Sequence, residues 1–338
     1  MSFTLTVAVP NYQRPAELDY LLSTLSKSVE LPDEILVLDD RSPSAGEVAS
    51  VLNKWAAYFQ YTSVRFKWQR NEFNLGYDRN LRELIRTATS DFITFIGNDD
   101  AFPASGIGAI RRFIGANPDV KACSRSFYRF HDSLKTVIGV SRFAEKDKVF
   151  SQHHDSPRFY FRLAAYFGGV TFNRKWALSK DTNAFDGTLY YQVYLSGCAF
   201  YESGIGYIAE PAVGARIDGM PLFGAASSEA HIHVPGQYSA AARADMWRCV
   251  LYISDHIDTL YGGYSKSFIQ HELMTRMSFH VFESYASRSV QELFALGGAL
   301  RKLGLMSHPI PTVLFAIVFL LRRHSAKFFF LVRKLYQK

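Results

Sequence analysis

Residues 34–40 have the sequence EILVLDD, and residues 91–100 have the sequence DFITFIGNDD. Each segment is a short apolar run that ends in two adjacent aspartates, Asp39-Asp40 and Asp99-Asp100. Such runs predict buried strands of an α/β sheet. Because ligands of open α/β sheets bind outside the carboxyl ends of the strands, the four carboxylates are predicted to converge on one ligand. Asp is also common in turns, so a purely structural role for each pair is the alternative.

The first strand-like run, Phe3 to Val9, leads into a turn without glycine, and the first glycine of the chain is Gly46. A dinucleotide fingerprint or a Walker loop needs several glycines in that turn, so that backbone amides can approach phosphate. Both classes of site are therefore excluded. Convergent carboxylate oxygens instead suit a divalent cation and the phosphates that it holds.

Several short motifs follow one another in fixed order between residues 4 and 115: the strand Thr4 to Val9, the turn Pro10 to Pro15, the helix-like Ala16 to Lys27, Asp39-Asp40, Asn74 to Asn80, and Gly97 to Asp100. This ordered set resembles the nucleotide-sugar half of a family 2 glycosyltransferase with the GT-A fold. The resemblance implies a Rossmann-like, mostly parallel central sheet flanked by helices. It also implies transfer of a sugar from a nucleoside-diphosphate sugar.

The resemblance further implies roles for individual residues in nucleotide binding. Asp40, with Asp39 beside it, takes the place of the acidic residue that accepts a hydrogen bond from the base, and Asn98 can bond the ribose or a metal-bound water. The remaining expected nucleotide residues lie in the turn after the first strand and in the Asn-x-Gly stretch; they are Pro10, Asn11, Tyr12, Arg14, Asn74, Gly76, Arg79 and Asn80.

Asn98-Asp99-Asp100 occupies the place of the family's Asp-x-Asp metal motif, but Gly97 stands where the family has the first aspartate. Asp99 and Asp100 are therefore expected to hold Mn²⁺ or Mg²⁺, which would stabilise the diphosphate leaving group. His231 and His233 alternate on one face of a strand-like segment, and either is a candidate third ligand. The alternative for both is a surface position in a loop.

Arg79 and Arg82 lie at helical i, i+3 spacing, where they would either assist the diphosphate or form a solvated helix face. For Arg82 we expect the solvated face. Gly168-Gly169 permits close approach of a ligand or of another backbone and is expected to floor the acceptor site. The glycine-containing segment 216–224 is predicted to be a mobile lid over the donor.

Many inverting members of the family carry an acidic pair at the start of a helix after the paired glycines, and one carboxylate deprotonates the acceptor. The corresponding residues 188–192 include no acid. Asp186 is the candidate base, with Glu202 second. Asp186-Gly187 is also a common turn pair, which is the structural alternative.

The last 38 residues are basic, whereas the rest of the chain is nearly neutral. Residues 301–338 contain eight of the 38 Lys and Arg residues and no Asp or Glu, and they include apolar runs at Pro311–Leu321 and Phe328–Val332. These runs are shorter than the roughly 20 residues of a spanning helix. They predict interfacial helices that meet anionic lipids, or else a tail packed on its own domain or on a partner subunit. No nucleic-acid motif accompanies these cations, so nucleic acid is not an expected partner.

The predicted organisation is a GT-A catalytic domain at 1–235 (nucleotide-sugar half 1–115, acceptor half 116–235), a helical extension at 236–300 and a membrane-associating tail at 301–338. Helical periodicity covers 240–260 and 267–284, with a glycine-containing break between them. The three cysteines have no metal spacing, which suits a reducing compartment, and no signal peptide is predicted at the N-terminus.

The sequence thus predicts a cytoplasmic glycosyltransferase at the inner face of the membrane. Its donor would be a UDP-, GDP- or dTDP-sugar and its acceptor lipid-linked or a saccharide, with surface-polysaccharide assembly suggested by family analogy. A sugar nucleotidyltransferase is disfavoured, because such enzymes rely on a Gly-rich first turn with a Lys. A non-catalytic carbohydrate-binding or scaffold protein stays open, because the acidic pair is missing and Gly97 departs from the motif.

Overall fold

The computed structural model describes residues 3–336, with side chains described for residues 3–332. The chain forms two compact units that divide between His231 and Ile232, close to the boundary predicted after residue 235. The first unit holds the sheet and its helices, and the second is built from helices. Of the predicted basic tail, Lys338 and the side chains of Arg333 and Lys334 lie outside the described part of the chain.

Within residues 3–336 one nine-stranded sheet is formed by β1 (Leu5–Asn11), β2 (Glu34–Asp39), β3 (Arg65–Arg70), β4 (Phe92–Phe95), β5 (Ala122–Phe130), β6 (Val137–Ser141), β7 (Lys148–Phe150), β8 (Thr171–Asn173) and β9 (Ile205–Arg216). The strand order is β3-β2-β1-β4-β8-β5-β9-β7, and β6 pairs with β5 off this path. The four strands β3, β2, β1 and β4 are parallel, as predicted. Pairing is mixed beyond β4, since β8 is antiparallel to both β4 and β5.

The helices of the first unit are α1 (Pro15–Leu25), α2 (Ala45–Phe59), α3 (Tyr77–Thr87), α4 (Gly106–Ala116), α5 (Arg158–Ala164), α6 (Arg174–Ser179) and α7 (Tyr191–Glu202). Helices α1, α2 and α3 are the crossovers that successive parallel strands require. Helix α2, for example, buries Val48, Leu52, Trp55 and Phe59, which recur at helical spacing on one face. All residues of β2 are buried, which explains why this strand reads as a continuous apolar run. The predicted α/β fold class is confirmed.

The helices of the second unit are α8 (Ala240–Tyr261), α9 (Ser265–Glu272), α10 (Ser278–Ser284), α11 (Val290–Lys302), α12 (Pro309–Leu321) and α13 (Ser325–Tyr336). A π-helical turn, Leu273–Met277, joins α9 to α10, and a 3₁₀ turn, Arg322–His324, joins α12 to α13. Helix α8 ends at Gly262, whose φ of +67° gives the left-handed cap that glycine tolerates. None of the helices in the described residues is both long and apolar enough to cross a membrane.

Candidate functional site

The carboxyl ends of β1, β2 and β4 lie at one edge of the sheet, and three buried polar side chains bridge them. Asn11 lies opposite Asp39 in the pairing of β1 with β2. Asn11 Nδ2 donates to Asp39 Oδ1 at 2.9 Å, and Asn98 Nδ2 donates to Asn11 Oδ1 at 2.8 Å. The structure thus brings together one residue from each of three segments that the sequence singled out.

Asp40 holds the Asn-x-Gly stretch in place. Its Oδ1 accepts from the Leu75 backbone N at 2.7 Å and from Asn71 Nδ2 at 2.8 Å, and its Oδ2 accepts from the Gly76 N at 2.9 Å. Asn74 Oδ1 accepts from the same Gly76 N at 3.0 Å. Burial outweighs these donated hydrogen bonds and raises the pKa of Asp40 to about 6.

Both the backbone conformation at position 76 and its surroundings require a glycine. Its φ is +81°, and a Cβ at this position would lie 2.8 Å from Glu229 Oε1 and 2.9 Å from Ser228 Oγ. Asn80 and Arg79 were also predicted to bind the nucleotide. Asn80 is buried, and its side chain donates to the Leu38 carbonyl at 3.3 Å. Arg79 is exposed, with its guanidinium 5.4 Å from the centre of the Phe73 ring.

The turn after β1 has a strained backbone that side chains from other segments fix. Pro10 is part of β1, and Tyr12 follows the strand. Gln13 and Arg14 both have a φ of 57°, a left-handed conformation that side-chain-bearing residues seldom adopt. Gln13 N donates to Ser42 Oγ at 2.7 Å, and Asn98 Nδ2 lies 3.2 Å from the Gln13 carbonyl oxygen. The side-chain amide of Asn98 therefore donates a hydrogen bond to the backbone of this turn.

The carboxylates of Asp99 and Asp100 both lie next to Gly97. A Cβ at position 97 would lie 2.7 Å from Asp100 Oδ2 and 3.0 Å from Asp99 Oδ1. The glycine that stands in place of the family's first aspartate is therefore what lets both carboxylates reach this point. Any side chain at position 97 would have to displace one of them.

The two carboxylates have different protein partners. Asp99 forms an ion pair with Arg14, whose Nη2 also donates to the Met220 carbonyl oxygen. Asp100 accepts from the Tyr166 hydroxyl at 2.7 Å and from the Arg216 N at 3.1 Å. Burial, and then the charge of Asp99, raise the pKa of Asp100 to about 7, and burial raises that of Asp99. Two crowded hard-oxygen ligands of this kind fit a divalent cation, which would relieve their repulsion.

The two predicted histidines belong to different units of the chain. His231 is exposed at the end of the first unit, whereas His233 belongs to the second unit, where its Nε2 lies 3.9 Å from Asp245 Oδ2 in α8. Among the described residues, no group of three or more His, Cys, Asp or Glu side chains is arranged to hold a metal ion. A histidine ligand therefore stays a prediction.

Both candidate bases are engaged by cations. Both oxygens of Asp186 accept from Arg82 Nη1, at 2.8 and 2.7 Å, and Arg82 Nε donates to Asp181 at 2.7 Å. Glu202 accepts from Trp176 Nε1 at 2.7 Å and pairs with Lys180. The expectation that Arg82 belongs to a solvated helix face is wrong, because Arg82 is only 7% exposed. Its charge is buried because the two aspartates neutralise it.

Asp78 is a site residue that sequence reasoning missed. Its Oδ1 accepts from the Tyr191 N at 2.9 Å and its Oδ2 from the Leu189 N at 2.7 Å, and burial raises its pKa to about 7. The start of α7, which has no acid of its own, thus receives a carboxylate from α3. A signal was present in the sequence: Asp78, Leu81, Arg82 and Ile85 share helical spacing, and all four are buried.

Glu229 is the second missed residue, and it anchors the segment that was predicted to be a lid. Glu229 Oε1 accepts from the Tyr77 N at 2.7 Å, and Oε2 accepts from the Gly224 N at 2.8 Å. Near the other end of this segment, a Cβ on Gly219 would lie 2.9 Å from Asp99 Oδ2. The segment therefore reaches from the start of α3 to the second acidic pair.

Comparison with known sequences finds similarity to glycosyltransferases. Residues 6–172 match the family model described as glycosyl transferase family 2. An uncharacterized glycosyltransferase of Haemophilus influenzae is 28% identical over 116 residues, which are 34% of this chain and 36% of that protein. The chain thus spans about a third of the length of this curated relative.

Solved structures agree with the fold. S. aureus TarS 1–349 in complex with UDP-GlcNAc has a TM-score of 0.60 at 16% identity, over 95% of this chain and 92% of that chain. The mannosyltransferase PcManGT from Pyrobaculum calidifontis in complex with GDP-Man and Mn²⁺ has a TM-score of 0.53 at 15% identity, over 100% and 88%. At these identities the likeness is one of fold. Residues 6–172 thus resemble family 2 glycosyltransferases, and the chain has the GT-A fold.

Proposed function

We propose that the protein transfers one sugar from a nucleoside-diphosphate sugar to a lipid-linked or saccharide acceptor. The observation that carries this proposal is the meeting of Asp99 and Asp100 over Gly97, at the same sheet edge as Asn11 and Asp39. Transfer from such a donor releases a diphosphate, whose growing charge a carboxylate-held cation stabilises. UDP-, GDP- and dTDP-sugars are the candidate donors, and the ligands of TarS and PcManGT support this class.

Asp99 and Asp100 are the residues that would hold Mn²⁺ or Mg²⁺, and the Mn²⁺ in the PcManGT complex supports a divalent cation. When bound, the cation would offset negative charge on the diphosphate. Because two carboxylates cannot fill its coordination shell, donor phosphate oxygens or one of His231 and His233 would supply further ligands. Arg14 would be free to turn from Asp99 toward the diphosphate once the cation neutralises that carboxylate.

The strand-end loops would receive the nucleotide. A carboxylate has about four acceptor positions, and protein donors fill three on Asp40, which leaves one for an N–H of the base. The turn from Pro10 to Arg14 would lie beside the base, and the stretch from Asn74 to Arg79 would form the opposite wall. Asp39 and Asn98 would act mainly by holding these loops in place.

Asp186 stays the proposed catalytic base, with Glu202 second. To accept a proton from the acceptor hydroxyl, Asp186 would have to release at least one of its contacts with Arg82. This requirement couples acceptor binding to a change at the Arg82 ion pairs. Asp186→Asn is therefore expected to lower turnover while donor binding stays unchanged.

We propose a cytoplasmic enzyme that works at the inner face of the membrane, in assembly of a surface polysaccharide. Cys123, Cys198 and Cys249 form no disulfide among the described residues, which suits a reducing compartment. Apart from Thr312, α12 is made of apolar residues, yet Val313 is 54% and Leu320 74% exposed. Exposed cations adjoin α12 in sequence: Arg301, Lys302, Arg323 and Lys327. An exposed apolar helix with adjacent cations suits the headgroup region of an anionic bilayer.

The membrane proposal is tested by co-sedimentation with phosphatidylcholine vesicles with and without phosphatidylglycerol. We expect binding that requires phosphatidylglycerol, falls with salt and is weakened by Leu320→Glu. Val29→Glu is the control, because Val29 is 82% exposed in the first unit. Equal binding by both variants would contradict the proposal, and a change in oligomeric state with Leu320→Glu would assign the face to a second copy.

The donor proposal is tested by a thermal-shift panel of UDP-, GDP-, dTDP- and CDP-sugars with and without Mn²⁺ or Mg²⁺. A ligand that binds only the native state raises the melting temperature by mass action. We expect a metal-dependent rise with one nucleotide family, and transfer or hydrolysis of that donor. No rise with any donor would contradict the proposal and favour a non-catalytic carbohydrate-binding or scaffold protein.

A further inference from the structure

The paired glycines Gly168 and Gly169 were expected to admit a ligand or a backbone, and the structure shows what approaches them. A Cβ on Gly168 would collide with the Tyr166 hydroxyl and lie 2.8 Å from Asp100 Oδ2. A Cβ on Gly169, whose φ is +83°, would lie 2.7 Å from Cδ and Nε of Arg125. The glycines therefore make room for three side chains, Tyr166, Asp100 and Arg125.

Tyr166, whose hydroxyl bonds Asp100, is held by contacts of its ring with neighbouring side chains. The Arg125 guanidinium lies 4.6 Å from the centre of the Tyr166 ring, and the Phe127 ring lies 4.7 Å from it. Arg125 is itself buried, donating to Ser124 Oγ at 2.9 Å and to the Tyr166 carbonyl at 3.1 Å. The contacts of the ring with Arg125 and Phe127 leave the hydroxyl little freedom to leave Asp100.

The Asp100 carboxylate is fixed at both of its oxygens. Oδ2 accepts from the Tyr166 hydroxyl, and Oδ1 accepts from the Arg216 backbone N at the end of β9. A carboxylate bonded at both oxygens cannot rotate without losing a hydrogen bond. Its remaining lone pairs therefore keep a constant direction.

We propose that Tyr166 is a positioning residue for the reaction: its hydroxyl orients Asp100 toward the divalent cation, and Arg125 and the paired glycines hold Tyr166 in place. This inference rests on the proposed function, because it takes Asp99 and Asp100 as the cation ligands. Outer partners that orient metal ligands commonly contribute 10- to 100-fold to metal affinity. Tyr166 acts through Asp100 and makes no contact with the reacting atoms.

The alternative is that the Tyr166 hydroxyl is merely a buried polar group that has found an acceptor. Tyr207 offers a matched control, because it is fully buried and its hydroxyl accepts from the Phe143 N at 2.7 Å, with no contact to the acidic pair. Tyr→Phe at either position removes one buried hydroxyl. Only the change at position 166 is expected to alter the cation site.

The test is titration of the full chain with Mn²⁺, followed by the electron paramagnetic resonance signal of free Mn²⁺. The titration is made with a saturating amount of the nucleoside diphosphate that the thermal-shift panel selects. We expect Tyr166→Phe to weaken Mn²⁺ binding about 10- to 100-fold and Tyr207→Phe to leave it unchanged. Gly168→Ala, which crowds the Tyr166 hydroxyl, should weaken binding in the same direction.

The outcomes separate this inference from the proposed function. Wild-type affinity in Tyr166→Phe overturns the inference and leaves the proposed function standing, even if the melting temperature falls. Equal weakening in Tyr166→Phe and Tyr207→Phe also overturns it, because the effect would then follow general stability. Failure of the wild-type chain to bind Mn²⁺ overturns both the proposed cation site and the inference.

Discussion

The two aspartate pairs look alike in the sequence, since each follows a buried strand, but the structure gives them different surroundings. Asp39 and Asp40 are bound by protein donors from Asn11, Ser42, Asn71, Leu75 and Gly76. Asp99 has the Arg14 guanidinium, and Asp100 has one hydroxyl and one backbone N–H. The position at a strand end brings a carboxylate to the site. The supply of nearby protein donors then decides how many acceptor positions the carboxylate keeps for a ligand.

The two aspartate pairs also differ in their electrostatic environment. Hydrogen bonds from the donors around the first pair hold two loops together. The first pair therefore stabilises local structure. The second pair places two carboxylates over one glycine, and they repel each other. Burial and this repulsion raise the pKa of Asp100 to about 7, which makes a cation the natural further partner. We therefore expect substitutions in the second pair to alter binding and substitutions in the first pair to alter stability.

The largest expected effect is that of Asp99→Ala, which should abolish metal-dependent donor binding. Asp99 contributes little to the core, because its side chain is about 20% exposed and its ion pair is with the partly exposed Arg14. The free energy of unfolding should therefore change by less than about 1 kcal/mol. The thermal-shift panel with Mn²⁺ and urea unfolding measure the two quantities.

Asp19→Ala is the control for this prediction. Asp19 is also ion-paired, to Lys54, and lies in α1 away from the strand ends. It should leave both donor binding and its metal dependence unchanged. If Asp99→Ala binds donor with the metal dependence of the wild type, the second pair is not the cation site and the contrast between the pairs fails.

Asp40→Asn tests the first pair and should act mainly on stability. Both Asp40 oxygens accept hydrogen bonds, whereas an amide would turn an NH₂ group toward the backbone N–H of Leu75 or Gly76. Leaving a buried donor without an acceptor costs about 2 kcal/mol. Urea unfolding at pH 7 measures the loss. Asn71→Ala, which removes one donor and leaves both backbone contacts, should cost less.

A loss in Asp40→Asn no larger than that in Asn71→Ala would mean that the loop does not depend on this carboxylate. A loss of donor binding without any loss of stability would mean that Asp40 only bonds the base and does not hold the loop. Either outcome would remove the distinction between the two pairs.

The strands that carry the pairs were predictable because their signal is local. The predicted runs 34–38 and 91–96 correspond to β2 at 34–39 and β4 at 92–95, and the helix predicted at 16–27 is α1 at 15–25. A continuous apolar run predicts a strand buried on both faces whatever lies elsewhere in the chain. The acidic pairs follow these strands, so their location at one edge of the sheet could also be predicted from the sequence.

The partners of the site were not predictable, because they come from distant segments. Tyr166 lies 66 residues from Asp100, Glu229 lies 152 residues from Tyr77, and Arg82 lies 104 residues from Asp186. Spacing along the chain holds no information on such pairs. Arg82 is an example: its i, i+3 spacing from Arg79 favoured a solvated arginine, and only tertiary packing provides the two aspartates that allow its burial.

The smallest expected effect concerns pH and separates Asp40 from other buried carboxyls. Its pKa is raised from 3.8 in the unfolded chain to about 6 in the fold. Between these values the unfolded chain loses the proton first, so this group stabilises the fold most at low pH, and its contribution is lost as the pH rises through about 6. The loss between pH 5 and pH 7 is about 1 kcal/mol.

Asp78 and Asp100 have raised pKa values as well, so the wild-type slope alone does not identify Asp40. The difference between wild type and Asp40→Asn does, because the variant lacks only this titration. Urea unfolding at pH 5, 6 and 7 should therefore give a stability that falls less steeply with pH in the variant. Parallel slopes would mean that Asp40 keeps its charge throughout this range, because its three donors then outweigh burial. Asp40 would in that case be an ionised structural anchor, and of the two pairs only the second would carry carboxyls whose charge depends on a bound cation.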